Sequence, residues 1–491
     1  MEHQPSTREK ILEVYDKGPD AVVELVETLL HEIQELKKIV QMQEERIRVL
    51  EDRLNQDSHN SNKPPSSDGL KRTIIPTRTK SNRPSGGQEG HKGSTLAMKD
   101  KPDKIIEHAI DRCPCGCSLK RIKVRRVHRR QVIDIPAPRV EYIEHENQEK
   151  QCPRCGRVVV APFPEGVEKS VQYGTNIKSL AVYMIQSQLI PLKRVQELLW
   201  NMFQIEVSQG TFLNWTQELH EKLEPAEKEI VQQLKQADTV HADETGIFCE
   251  NKLHWVHVVG TTNLTHLQMH HKRGCEAIDD IGILDSLRGR VIHDFWSPYF
   301  KYDIEHGMCN AHLIRELTAV YENEKQAWAL EMKDLLLRIH KRVEETKVQS
   351  RPVGRLSLQT RQYYAGKYRS LLVIAKALNP RQGSPPGKRG KPKQTKIRNL
   401  IDRMSDYQDA VLAFMEDFRV PFTNNQAECD LRMLKVKQKI SGTFRSREGG
   451  DAFCRIRGYL STACKNACSA FDAIVLAFNN KPFIPKNSYA V

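Results

Sequence analysis

The chain has no run of roughly 18 apolar residues, the length a helix needs to cross a bilayer, so no membrane span is expected. Its opening residues, MEHQPSTREK, lack the charged-then-apolar order of a secretory leader, and a cytoplasmic protein is expected. Aromatic residues are scarce at 7%. Acid is in deficit: 62 Asp and Glu against 76 Lys and Arg leave a formal charge of +14 and a pI near 9.1. That imbalance points toward a polyanionic partner. Cysteine, by contrast, is not scarce. The twelve present are expected to be free or metal-bound in a reducing compartment rather than paired. Hydrophobic content of 39% over 491 residues suffices for real cores, in roughly two to four domains.

Three carboxylates stand where two-metal phosphoryl transfer would need them. Asp243 closes an apolar run, Thr239-Val240-His241-Ala242-Asp243, that reads as a buried strand. LHWVHVVG (253–260) and THLQMH (265–270) read as two more strands, 275–287 as a helix, and GRVIH (289–293) as a fourth strand that delivers Asp294. A β-β-β-α-β order with a carboxylate ending its first and fourth strands is the layout of a ribonuclease-H-like core. Glu428 lies in TNNQAE, where Thr423 or Asn424 is placed to cap the helix that carries it. Any one of these acids alone would read as a solvated turn residue. Brought together, they offer hard oxygen ligands with room for water and phosphate, as two Mg²⁺ ions require.

HADETGIF, VIHDFWSPY and TNNQAECDLRMLKVKQKISGTFRSREGGDAF resemble the three catalytic blocks of the IS66 family of bacterial insertion-sequence transposases, which are DDE enzymes. NSNKPPSSDG at 60–69, GGQEGHKG at 86–93 and Cys309-Asn310-Ala311-His312 extend the resemblance over nearly the whole chain. It implies a DNA transposase that binds the ends of its own element, cleaves them and joins them to target DNA. Asp243, Asp294 and Glu428 would be its catalytic metal ligands, with Mg²⁺ or Mn²⁺, two per site, as cofactor. Small accessory proteins of the same element and association with the nucleoid belong to the same expectation. A ribonuclease-H-like nuclease without strand transfer, or a DNA-binding regulator that has lost catalysis, are the alternatives. Cys309-x2-His312 is expected to brace the core rather than bind metal. His241 and His293 are expected to support the carboxylates through hydrogen bonds.

The flanking text supplies further modules. Val22, Val26, Leu29, Ile33, Leu36, Val40, Ile47, Leu50 and Leu54 alternate in steps of four and three, with Gln43 as one polar break. This heptad run predicts a coiled coil holding a homodimer or higher oligomer. A flexible basic linker follows. Cys152-Pro-Arg-Cys155-Gly156 is a good zinc knuckle, whereas Cys113-Pro-Cys115-Gly116-Cys117 is irregular. One structural Zn²⁺ is expected on Cys113, Cys115, Cys152 and Cys155, with Cys117 an alternative ligand. Between them KRIKVRRVHRR (120–130) alternates as strands would. Its Arg125, Arg126, Arg129 and Arg130 are candidates for DNA phosphate contact, as are Arg432, Lys435, Lys437, Lys439, Arg445 and Arg447 beyond Glu428. Segments 177–188, 192–203 and 208–223 read as helices. Gln209, Thr211, Asn214 and Gln217 on the last would suit a helix-turn-helix, and ordinary three-helix packing fits as well.

The expected architecture is therefore multidomain α+β: a coiled coil (1–57), a basic linker (58–100), a zinc module (101–170) and a helical DNA-binding region (171–235). A ribonuclease-H-like α/β catalytic domain (236–475) and a tail (476–491) complete it. The 134 residues from Asp294 to Glu428 exceed what the core needs, which predicts a helical insertion at about 316–418 with a basic loop at 383–396.

Overall fold

The structure, a computed structural model, describes residues 7–54, 56, 60–61, 96–349, 354–383 and 392–486. The linker motifs, apart from Asn60 and Ser61, lie outside the described residues, as do 384–391 of the basic loop and 487–491 of the tail. The chain divides into two compact units, one of residues 1–73, 171–196 and 207–491, the other of 74–170 and 197–206.

The larger unit opens with helices α1 (Thr7–Tyr15) and α2 (Pro19–Leu54). The heptad positions all lie within the 36-residue α2, and Val26, Leu29, Ile33, Leu36, Val40, Ile47 and Leu50 are exposed along it. In the smaller unit the only ladder among the described residues is a short hairpin, β1 (Glu149–Gln151) with β2 (Val158–Val160). The strands expected across 120–130 do not form. Ile122, Val124 and Val127 there are each at least 65% exposed, so alternation had no buried face to select it.

The larger unit is mixed α/β. After α3 (Thr175–Val182) and a π-helical turn (Tyr183–Ser187), α4 (Leu192–Phe203) begins in this unit and its residues from 197 on count with the smaller one; α5 (Gln209–Lys222) and α6 (Glu224–Gln236) follow. Ser208 caps α5, accepting the Thr211 N–H at 3.1 Å. Five strands follow: β3 (Thr239–Cys249), β4 (Lys252–Gly260), β5 (Thr265–His270), β6 (Arg290–His293) and β7 (Glu305–Met308). They are ordered β5-β4-β3-β6-β7. β3, β4 and β5 form an antiparallel meander, and β6 and β7 run parallel to β3. The crossover from β5 to β6 carries α7 (Cys275–Ile281), ended by Gly282 in the left-handed conformation.

β3 does not stop at Asp243 but runs six residues further, paired with β4 as far as Cys249↔Lys252. Its later residues alternate, with Thr245, Ile247 and Cys249 buried, and that period-two pattern holds it in the sheet. The fifth strand, β7, was not expected. At four residues, it carries little periodic signal.

The insertion comprises α8 (Asn310–Glu324), α9 (Ala327–Gln349), α10 (Leu358–Leu378), α11 (Lys396–Asp406) and α12 (Gln408–Glu416). The first helical stretch of the expected insertion is broken in two, because Lys325 adopts the left-handed conformation and closes α8. These helices bury Leu313, Trp328, Leu336, Tyr368, Ile401 and Phe414 in one core with Ile292 and Met308 from β6 and β7. The chain ends in α13 (Asn425–Ser441), α14 (Arg447–Lys465) and α15 (Ala470–Phe478). α13 and α14 cover one face of the sheet through Leu431, Leu434 and Phe453 against Ile247, Val256 and Val258. α6 and α7 cover the other, through Ile230, Leu234 and Ile278 against Val240, Ala242 and Val291. Gly450 lets α14 lie close on β5, since a Cβ there would overlap Met269. No helix among the described residues is long and apolar enough to cross a membrane.

Candidate active site

Parallel pairing of β3 with β6 ends at His241↔Ile292. Asp243 follows this last pair by two residues on β3, and Asp294 follows it by two on the other side, just past the end of β6. Asp243 Oδ1 accepts the Glu244 N–H at 2.8 Å, and Asp294 Oδ1 accepts the Trp296 N–H at 2.9 Å. The third carboxylate arrives on α13, which packs on the sheet. Burial, followed by the charges of Glu244, Asp294 and Glu428, pushes the Asp243 carboxyl up to about 8. Burial raises Asp294 as well, opposed by the Trp296 N–H and the charges of Arg273 and Arg403. Asp294 and Glu428 thus lie within electrostatic reach of Asp243, while Arg273 and Arg403 bear on Asp294.

Glu428 is positioned by Asn424. That residue occupies the N-cap of α13, yet its side chain makes no capping bond. Its Nδ2 donates to Ala242 O at 2.8 Å instead, and its Oδ1 faces His241 Nδ1 at 2.8 Å. Because Oδ1 can only accept, His241 carries its proton on Nδ1. The Asn424 backbone N–H donates to the buried Cys309 Sγ at 3.1 Å. Cys309 in turn donates its N–H to His293 O at 3.0 Å. One asparagine therefore ties the start of α13 to the strand of Asp243 and to the segment following Asp294. Capping was the wrong expectation for it, because a bond to a strand carbonyl outcompetes a local one where the helix end is buried.

The histidines play supporting parts. His293 is fully buried, bonded through Nδ1 to the Asp294 carbonyl and through Nε2 to His306 Nδ1 at 3.1 Å, and burial lowers it to about 3. His312 Nε2 lies 4.0 Å from Glu428 Oε1, and burial lowers it to about 4. Cys309, His312 and Glu428 form one of two groupings of three potential metal ligands among the described residues; His270, His271 and Glu276 form the other.

Neither grouping draws on the five cysteines of the smaller unit. Those form two similar turns. Gly116 N–H donates to Cys113 O at 2.8 Å and Gly156 N–H to Cys152 O at 2.8 Å, both glycines at positive φ. Backbone donors at Cys117 and Cys155 hold the Cys115 and Cys152 thiols below their ordinary range.

Of the basic candidates, Arg125, Arg126, Arg129 and Arg130 are exposed in the smaller unit. The other six divide: Arg432, Lys435, Lys437 and Lys439 lie on α13, Arg445 follows it and Arg447 begins α14. Arg432, Lys435 and Lys439 fall four, seven and eleven residues after Glu428, on one exposed stripe. Lys435 Nζ also donates to Gly246 O at 3.1 Å. Lys437 faces elsewhere: its ammonium lies 5.5 Å from the Phe444 ring, and burial lowers its pKa. Arg445 is exposed, and Arg447 lies 3.6 Å from Asp451.

Sequence reasoning missed Glu244, Arg273, Asn424 and Arg403. Glu244 and Asn424 lie inside quoted motifs and were visible as text; their bonding was not. Arg403, on α11, pairs with Glu316, lies over Phe295 and bears electrostatically on Asp294.

No curated protein matches the chain. A family of unknown function matches residues 19–97. The Transposase IS66 family matches residues 170–452, more than half of the chain and the whole span from α3 through the three carboxylates, and the chain belongs to that family.

Proposed function

We propose that this transposase works at Asp243, Asp294 and Glu428, on a ribonuclease-H-like sheet, cutting the DNA ends of its element and joining them to target DNA. The observation that carries this reading is Asp243 itself, a buried carboxyl driven up to about 8 partly by two other acids drawn from elements 51 and 185 residues away. Such mutual repulsion is costly unless cations relieve it, and the donors are oxygens of the kind Mg²⁺ and Mn²⁺ take. The sheet order, an antiparallel meander extended by two parallel strands, supports the fold assignment.

Two divalent ions bound there would supply the positive charge that attack on a phosphodiester and departure of its 3′-oxygen require. The chain's own part is to hold the ligands rigid. Trp296 N–H fixes Asp294, Glu244 N–H fixes Asp243, and Asn424 sets the start of the helix bearing Glu428. The stripe Arg432, Lys435 and Lys439 leads away from Glu428 as a track for phosphates. The exposed Gln209, Asn214 and Gln217 of α5 are available to read base edges. The α2 heptads join chains so that two DNA ends meet, and the cysteine turns bind one structural Zn²⁺.

The test is replacement of each acid in turn. Asp243→Ala, Asp294→Ala and Glu428→Ala should each abolish cleavage and joining while end binding stays within a fewfold. Full joining by any one of them would overturn the assignment. Cleavage without joining by the native chain would favour a nuclease instead.

A further inference from the structure

Arg273 lies in the connection between β5 and α7, and its charge bears on Asp294. Its guanidinium is stacked between two indoles, 4.7 Å from the Trp255 ring centre and 4.4 Å from that of Trp296. One edge is engaged: Nε and Nη2 both donate to Glu244 Oε1, at 2.8 and 2.6 Å. The Tyr299 hydroxyl donates to the other Glu244 oxygen at 2.8 Å. Nη1 takes no hydrogen-bond partner among the described residues, and the Arg273 side chain is 40% exposed where that of Glu244 is 1%.

The loop is fixed as well. Lys272 N–H donates to His270 Nδ1 at 3.0 Å, and the protonated Nε2 of His270 donates to Asp280 at 3.0 Å. Trp296 is also the residue whose N–H holds Asp294. The guanidinium is therefore clamped with both N–H groups of Nη1 unspent. A pair serving only the core would have no reason to leave the cation open to solvent. A stacked, charged, planar donor with one free edge matches a phosphate oxygen.

We propose that Arg273 contacts DNA, its Nη1 edge donating to a non-bridging oxygen of a backbone phosphate next to the one held at Asp243, Asp294 and Glu428. The contact rests on the DNA-processing reading above and names the group that reads the neighbouring phosphate. Glu244 and the two tryptophans are positioning residues for it. The Glu244 charge also limits the net positive charge near Asp294, so that Arg273 attracts phosphate without displacing cations from the carboxylates.

The experiment uses the full chain and duplexes of the element's terminal repeat, each with a single neutral methylphosphonate, stepped across the phosphates around the cleavage point. Binding is measured without divalent metal for the native protein, Arg273→Ala and Arg273→Lys. At one position the native protein should lose about tenfold in affinity, the scale of one charge-assisted bond. Neither variant should lose more there, while both keep their deficit at every other position. The slope of log affinity against log salt should fall by about 0.9 for Arg273→Ala, one phosphate's worth. Lysine cannot both hold Glu244 and reach the phosphate, so Arg273→Lys decides the matter alone if the alanine variant does not fold. Deficits that add to the methylphosphonate loss at all positions would overturn the contact. Failure of the transposase reading would show separately, as native protein that binds these ends but never cuts them in Mg²⁺.

Discussion

Asn424→Ala separates the positioning of Glu428 from the chemistry proposed for it. Asn424 is 2% exposed, and the substitution removes its bonds to Ala242 O and His241 Nδ1 while leaving the backbone N–H on Cys309 Sγ. Two buried polar groups lose their partner, at about 1–3 kcal/mol each, so a destabilisation of about 2–6 kcal/mol is expected. A domain of ordinary stability survives that at low temperature. Glu428 lies one helical turn beyond Asn424, and its backbone N–H is bonded to Asn424 O. A displacement of about 1 Å at the start of α13 would therefore reach the carboxylate nearly undiminished, at a cost of up to about 100-fold in rate. Urea unfolding gives the first quantity. Single-turnover cleavage by folded protein at saturating DNA gives the second. Asn424→Asp is the companion, since it keeps the shape but sets a second acceptor against Ala242 O and a fourth negative charge near the acids. If Asn424→Ala loses the stability but cleaves within about threefold of the native rate, Asn424 serves the fold alone and the positioning argument is wrong.

Asp430→Ala, superficially a neutral control beside Glu428, should destabilise by about 3–5 kcal/mol, because it strands the buried Lys465 ammonium 2.8 Å away; urea unfolding checks this. Acid should unfold the protein. His257, His293 and His312, lowered to about 4, 3 and 4 from an unfolded value near 6.5, take up protons more readily when unfolded, so stability falls as pH drops below that value. From pH 7 to 5 they cost about 5 kcal/mol together, while Asp243, raised to about 8, returns about 2.5; a melting point that rises over this range would contradict the reasoning. Deleting α2 should reduce the assembly to single chains in light scattering while leaving the sheet folded by circular dichroism. Purified protein should carry about one zinc per chain by metal analysis, and Cys152→Ser should lose it.

What could be read from the sequence followed from where the signal was local. The antiparallel meander was legible because Val256, Val258, Leu267 and Met269 alternate toward one core. The acids stood out as candidates because motif text surrounds them. β7 was too short to show a period, and the break between α8 and α9 turns on one non-glycine residue, Lys325, in a left-handed conformation that composition does not announce. Asn424 was read as a cap because spacing reports local options, and its bonds cross 182 and 183 residues. Glu244 carried no signal of its own for the same reason: only the fold brings Arg273 and Tyr299 to it.

The long gap between Asp294 and Glu428 raises the question of how a carboxylate 134 residues on returns to within reach. Both ends of the excursion are pinned together. Asn310 N–H, where α8 departs, donates to Phe422 O at 3.0 Å, where the chain comes back. Asn310 Nδ2 donates to Val411 O at 3.1 Å, and Asn424 N–H to Cys309 Sγ. The insertion is thus a closed loop in the sense that matters for the site, leaving and rejoining at the same corner beside β6. Lengthening such a loop adds closure entropy only slowly, as the logarithm of its length. Its helices carry their own apolar core, anchored on β6 and β7 through Ile292 and Met308. Through Arg403 it also reaches back to bear on Asp294. The Cys309–Asn310 corner, rather than the insertion's interior, is therefore what decides whether Glu428 meets the two aspartates.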